Sequence, residues 1–289
     1  MSEFWKRTLS GAVFVSCIVG SILWHPAAFG AVLVLISVWG VNEFHTLMGS
    51  SPVCRGGAIV STLVLDTAVL WFLLSPDGLK QSWGIYALLG ALYVLLIAVT
   101  LMDELWSMSE NPVANWGNLL ISQTMIAVPL STMGGLLAMD KWLLLAVFVL
   151  IWTNDTGAYC IGSLTAKRAE GNHKMFPRVS PKKSWEGLFG GLAFTIGMAF
   201  ILNRYGWFDS IQIEGRELWI SGLFGLLVTT FGTLGDLMES LLKRTIGVKD
   251  SGRFLPGHGG VLDRFDSILL AAPMLAIYSG ICYGLSLLF

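Results

Sequence analysis

Charge is scarce in this chain. Only 13% of its 289 residues are Asp, Glu, Lys or Arg, while 54% are hydrophobic; soluble globular domains carry about 25% charged residues. That shortage excludes an ordinary soluble globule and points to an integral membrane protein. The formal net charge is -1, so no global field draws the chain to nucleic acid, and none is expected as a partner. The four cysteines, Cys17, Cys54, Cys160 and Cys282, share no paired spacing, which argues against a disulfide framework or a zinc site. His25, His45, His173 and His258 likewise lack HxxxH or HExxH spacing, so no metal site of that kind is indicated. Internal repeats and low-complexity linkers are also missing.

Long apolar runs are abundant. A helix rising about 1.5 Å per residue needs roughly 20 apolar residues to cross a bilayer core. Nine runs of that kind are expected, near residues 8–24, 27–48, 57–74, 84–102, 117–138, 141–162, 187–203, 218–240 and 267–288. The first follows "MSEFWKR" and competes with a cleaved signal peptide, but eight further runs favour a retained anchor. With a cytoplasmic N-terminus, 14 of the 18 lysines and arginines fall on the cytoplasmic side, opposite only Lys80, Lys141, Arg204 and Arg216. Such an excess is what fixes topology in membrane proteins. Many of the 12 tryptophans flank the runs, where they serve as interfacial anchors. The expected fold is therefore all-α and polytopic, with about nine transmembrane helices. About five spans make up residues 1–140, and about four spans with two basic cytoplasmic loops make up residues 141–289, as one integrated membrane unit.

The polar residues concentrate in the C-terminal half. Asp236, Glu239, Ser240 and Lys243 follow one another at i, i+3, i+4 and i+7, on one face of a helix. An acid inside a span is costly, so Asp236 needs a wet cavity, a metal or a basic partner. A salt bridge to Lys243 or Arg264 is the simpler reading. The sharper one brings Asp236 and Asp263 together around a cation, and oxygen ligands of this kind suit Mg²⁺. Lys243, Arg244, Lys249, Arg253 and Arg264 suit phosphate groups. The glycines of "PGHGG" let backbone amides approach an anion. His258 in that turn reads equally as a turn residue or a phosphate donor. In the sixth run Asp155 stands near the cytoplasmic end, ahead of a second basic loop that carries Lys182 and Lys183; ordinary topology explains those lysines as well as substrate binding does. Asp66 stands alone in the third run, where a buried hydrogen bond is expected.

These residues together resemble the phosphatidate cytidylyltransferases, or CDP-diacylglycerol synthases. The family signature runs Ser, two residues, Lys-Arg, four residues, Lys-Asp, a small residue, Pro, His-Gly-Gly and Asp-Arg-x-Asp. Here it is met by Ser240, Lys243, Arg244, Lys249, Asp250, Gly252, Pro256, His258, Gly259, Gly260, Asp263, Arg264 and Asp266. The segments "NDTGAY" and "SPKKSWEG" are similar too. The resemblance implies transfer of a cytidylyl group from CTP to phosphatidate, with Mg²⁺ as cofactor and a second ion such as K⁺ left open. It further implies a homodimer and, for a short form of this kind, a bacterial inner membrane with the active site facing the cytoplasm. Carried onto this chain, the catalytic set is Asp236, Lys243, Arg244, Lys249, Asp250, His258, Asp263, Arg264 and Asp266. The substrate-binding set is Asp155, Lys182, Lys183, Ser184, Ser240, Gly259 and Gly260, and the metal ligands are Asp236 and Asp263. The competing function is a cation-coupled transporter, in which Asp66, Asp155, Asp236 and Glu239 would line an ion path. Transfer of a phosphatidyl group to an alcohol would need a DGxxAR run, which is missing.

Overall fold

The computed structural model describes residues 3–75, 79–167, 171–252 and 259–287, with backbone only for 3–7 and 79–82. His258, Arg253, Pro256 and Arg168 lie outside the described residues. Among the described residues ten α-helices follow one another: α1 Glu3–Trp24, α2 Pro26–Leu47, α3 Pro52–Leu74, α4 Leu79–Asp103, α5 Pro112–Ser122, α6 Val128–Met139, α7 Lys141–Thr165, α8 Trp185–Arg204, α9 Glu217–Thr245 and α10 Leu262–Ser286. A π-helical turn at Gln123–Ala127 joins α5 to α6, so these two helices form one apolar stretch, Pro112–Met139. Every expected run thus falls on a helical stretch. Among the described residues eight stretches are long and apolar enough to cross a membrane, and the apolar part of α1, Thr8–Trp24, is shorter. The chain is an integral membrane protein.

Helix boundaries follow local chemistry. Ser51, Asn111, Asp140 and Ser184 each accept a hydrogen bond from an amide in the first turn of α3, α5, α7 and α8. Each cap satisfies a donor that the helix itself leaves open. Pro52 and Pro112 stand at first helical positions, where the missing N–H costs nothing.

The chain divides into two compact units, Met1–Ala138 with Val248–Phe265, and Met139–Gly247 with Asp266–Phe289. In the first unit, buried Glu104 collects the chain around it. Its carboxylate accepts from Ser51 Oγ at 2.7 Å, Ser107 Oγ at 2.9 Å, Ser109 Oγ at 2.5 Å and Asn115 Nδ2 at 3.1 Å. Burial works against the charged form of Glu104, but the hydrogen bonds from Ser109, Ser51, Asn115 and Ser107 outweigh it and hold the carboxyl below the usual Glu range. Gln123, in the π turn, donates to Ala58 O at 3.2 Å and Thr62 Oγ1 at 3.3 Å. Asp66 is 1% exposed and accepts from Ser131 Oγ at 3.2 Å, the buried hydrogen bond expected for it.

In the second unit α7 and α8 meet along a glycine seam. A Cβ on Gly191 would lie 2.6 Å from Asn154 Oδ1 and 2.9 Å from Asn154 O, and one on Gly157 would lie 2.9 Å from Phe194 Cβ. Small residues of this kind let membrane helices approach backbone to backbone, where dispersion and polar contacts replace the hydrophobic drive. The basic loop between α7 and α8 is a short antiparallel hairpin, β1 Lys174–Phe176 and β2 Ser180–Ser184. The sequence reading has no strand there, because three- and five-residue strands holding Pro181 and three lysines carry no period-two apolar pattern. Glu186 in the first turn of α8 anchors the hairpin base, accepting from the His173 amide at 3.0 Å and contacting its Nδ1 at 2.6 Å.

Two outcomes follow. Gly191→Val is expected to cost about 1–3 kcal/mol through overpacking and to lower the thermal midpoint in detergent; an unchanged midpoint would contradict the seam. The Glu104 carboxyl is depressed, so its contribution is present above the ordinary Glu value of 4.5 and is lost as pH falls below it. The parent's thermal midpoint should therefore drop more steeply below that pH than the midpoint of Glu104→Gln, and parallel curves would refute the assignment.

Candidate active site

Four elements of the second unit line a cleft of about 270 Å³. Helix α7 supplies Asn154, Asp155, Ala158 and Tyr159; the hairpin supplies Lys182 and Lys183; α8 and its cap supply Gly187 and Ser184; α9 supplies Thr233 and Asp236. Lys183 Nζ lies 2.8 Å from Asp236 Oδ2 and donates to Thr233 O at 3.3 Å. Ser240, one turn beyond, donates to Asp236 Oδ1 at 3.2 Å. Asp236 is therefore held at both oxygens. The sequence offers Lys243 or Arg264 as its ion-pair partner; the pair seen is with Lys183 from the hairpin, a long-range contact that helical spacing does not reveal. Glu239 and Lys243 pair with each other one turn apart, so the polar stripe of α9 forms as expected.

Negative charge collects around this cleft. Asp155 feels the charges of Asp236 and Lys183. Asp266, on α10, feels Asp236, Asp155 and Lys243, and accepts from the Ser267 amide at 2.6 Å. Three carboxyl groups that sense one another favour a nearby cation or a bound proton, and Lys183 and Lys243 bring positive charge to them. The donor set fits a hard divalent ion such as Mg²⁺, which takes one or two carboxylates and completes its shell with substrate phosphate oxygens and water. Among the described residues no three His, Cys, Asp or Glu side chains form a cage that could hold a metal ion alone, so such an ion would need oxygens from substrate or water.

Apart from Arg244, the remaining signature residues of known placement lie in the first unit. Asp263 Oδ2 accepts from the Ser251 and Gly260 amides, each at 2.8 Å, and lies 2.9 Å from Ser251 Oγ. Glu43, on α2, is buried. Its Oε1 accepts from Ser251 Oγ and, at 3.1 Å, from the Leu262 amide, while Oε2 accepts from the Val261 amide at 3.1 Å. The glycines make room for these acids. Gly259 has φ +82°, a left-handed conformation that glycine adopts at no steric cost. A Cβ there would collide with the Asp263 carboxylate, and one on Gly252 or Gly260 would collide with that of Glu43. The amide of Gly260, nominated for a substrate anion, is engaged by Asp263. Lys249, Asp250 and Arg264 are exposed in this unit, and Arg244 is exposed at the end of α9. His258 lies outside the described residues.

Glu43 and Ser251 are absent from the sequence-based site. An ionisable residue inside an apolar run was the available signal for Glu43, in "VNEFH", because such residues in spans mark functional positions by default. Ser251 has no comparable signal.

Three bacterial proteins named phosphatidate cytidylyltransferase are similar to this chain. That of Staphylococcus epidermidis is 42% identical over 134 residues, 46% of this chain and 47% of the relative. That of Haemophilus influenzae is 45% identical over 139 residues, 47% of this chain and 45% of the relative. That of Staphylococcus aureus is 42% identical over 134 residues, 46% of this chain and 47% of the relative. The chain thus spans about half the length of the curated relatives it matches. A family model described as "Cytidylyltransferase family" matches residues 5–282, a range that takes in Glu43, the cleft and every signature position, and the chain belongs to that family.

Proposed function

We propose that this protein transfers a cytidylyl group from CTP to phosphatidate, forming CDP-diacylglycerol and pyrophosphate. The observation that carries the reading is the cleft in which Lys182 and Lys183 of the hairpin meet Asp155 and Asp236 of the apolar helices α7 and α9. A site for a water-soluble triphosphate and a lipid phosphate needs cations in reach of bilayer and water together, and a chain with spanning helices supplies that placement. The relatives' name and the matched signature support the same substrates.

The chemistry asks little of a general base. Phosphatidate arrives ionised, and one of its phosphate oxygens forms a bond to the α-phosphorus of CTP while the bond from that phosphorus to the bridging oxygen of pyrophosphate breaks. What remains is alignment and charge neutralisation. Lys182 and Lys183 bind phosphate oxygens from the hairpin, and Lys183 is oriented for this by Asp236 and Thr233 O. Lys243, Arg244, Lys249 and Arg264 offset charge that builds on the leaving group. Asp250 and Asp266 are assigned, on the signature, to orient such groups or to complete the metal shell. Ser184 fixes the start of α8 beside the cleft, with its Oγ 3.1 Å from the Gly187 amide. When bound, Mg²⁺ would neutralise triphosphate oxygens. Asp236 and Asp263 are assigned to hold it on the signature, and the crowded carboxylates around Asp236 support its share of that role.

In the proposed setting the cleft faces the cytoplasm of a bacterial inner membrane, with the basic loops inside, and the protein acts as a homodimer, with K⁺ as a candidate second ion. The transporter reading lacks an observation in its favour. Asp155 and Asp236 share their cleft with lysines, and Asp66 is enclosed and bonded to Ser131.

The test is pyrophosphate release by purified protein in detergent with phosphatidate, CTP and Mg²⁺. Release should require all three, and should vanish in Asp236→Asn and Asp263→Ala while both variants keep the parent's helical content. Activity of Asp263→Ala close to the parent would remove its metal role. Lys183→Met is expected to lower kcat/KM about 100-fold, the scale for losing one preorganised donor; a value within a few-fold of the parent would leave Lys183 a topological charge only.

A further inference from the structure

The signature loop is held by an acid far away in the chain. Glu43 on α2 is 7% exposed, and a carboxylate is buried only at large cost unless several donors meet it. Three donors do so here, Ser251 Oγ and the Val261 and Leu262 amides, and the missing side chains of Gly252 and Gly260 leave room for the carboxylate. Val261 precedes α10 and Leu262 opens it, so their amides are among the donors that a helix N-terminus leaves unmatched, and a negative charge there is further favoured by the helix dipole. Ser251 precedes the His258 segment in sequence, and Val261 and Leu262 follow it. Glu43 therefore clasps both flanks of that segment.

The clasp leads on to Asp263. Ser251 Oγ contacts Glu43 and also lies 2.9 Å from Asp263 Oδ2, which takes the Ser251 and Gly260 amides as well. We propose that Glu43 is a positioning residue for cytidylyl transfer, setting the place of Ser251 and through it the Asp263 carboxylate. This rests on the function proposed above.

Glutamine tests the idea closely, since it has the same shape but one acceptor oxygen. Either the Val261 amide, or Ser251 Oγ and the Leu262 amide, would then face an NH₂ group. In the full-length protein in detergent, Glu43→Gln should keep the parent's helical content while kcat with phosphatidate, CTP and Mg²⁺ falls about 10- to 100-fold, the scale of a displacement near 1 Å. KM for CTP should stay near the parent's, because alignment rather than binding is lost. Ser251→Ala should give a comparable fall, and the double variant should be no worse than the poorer single one, as expected for residues that act through one another. Parent-like kcat in folded Glu43→Gln, or losses that multiply in the double variant, would overturn the proposal. If Glu43→Gln does not fold, folded Ser251→Ala decides by the same kcat reading. An inactive parent would instead overturn the transfer reading.

Discussion

A carboxylate set among apolar helices must find a cation or a set of donors, and this constraint organises the whole protein. Each acid described inside or beside a span meets it differently. Asp236 takes the Lys183 ammonium and the Ser240 hydroxyl. Glu239 takes Lys243, Glu43 takes loop amides at the start of α10, and Glu104 takes three hydroxyls and an asparagine amide. Asp236, which finds a lysine, lines the cleft, and Glu43 and Glu104, which find backbone, hydroxyl or amide donors, hold loops in place. Binding machinery and scaffold thus answer the same electrostatic cost by different means.

The helices were legible in the sequence because the bilayer demands about 20 apolar residues wherever a helix crosses, a signal that local detail does not blur. Two departures had no such signal. The π turn at Gln123–Ala127 depends on buried hydrogen bonds to Ala58 and Thr62, which only the folded chain brings near. The hairpin that presents Lys182 and Lys183 is held by the His173 and Glu186 contacts rather than by strand propensity.

The site was partly legible for the same reason. The stripe on α9 follows from helical spacing alone, and it formed as read. Lys183 as the partner of Asp236 could not be ranked against Lys243 by counting, since the deciding distance runs between a hairpin and a helix. Glu43 was visible as an acid in an apolar run, yet its role depends on amides more than two hundred positions later in the chain. The glycines of the signature loop illustrate the limit well. Their lack of side chains is read from sequence as room for a substrate anion, and the folded loop uses that room for the carboxylates of Glu43 and Asp263.

The central claim is that the α-phosphorus of CTP ends on a lipid. Purified protein in phosphatidate-containing vesicles, supplied with Mg²⁺ and CTP labelled either at the α- or at the γ-phosphorus, tests it directly. The account predicts that α-label moves into the organic phase as CDP-diacylglycerol while γ-label stays in water as pyrophosphate. Retention of the α-label in water, with folded protein and both substrates present, would contradict it.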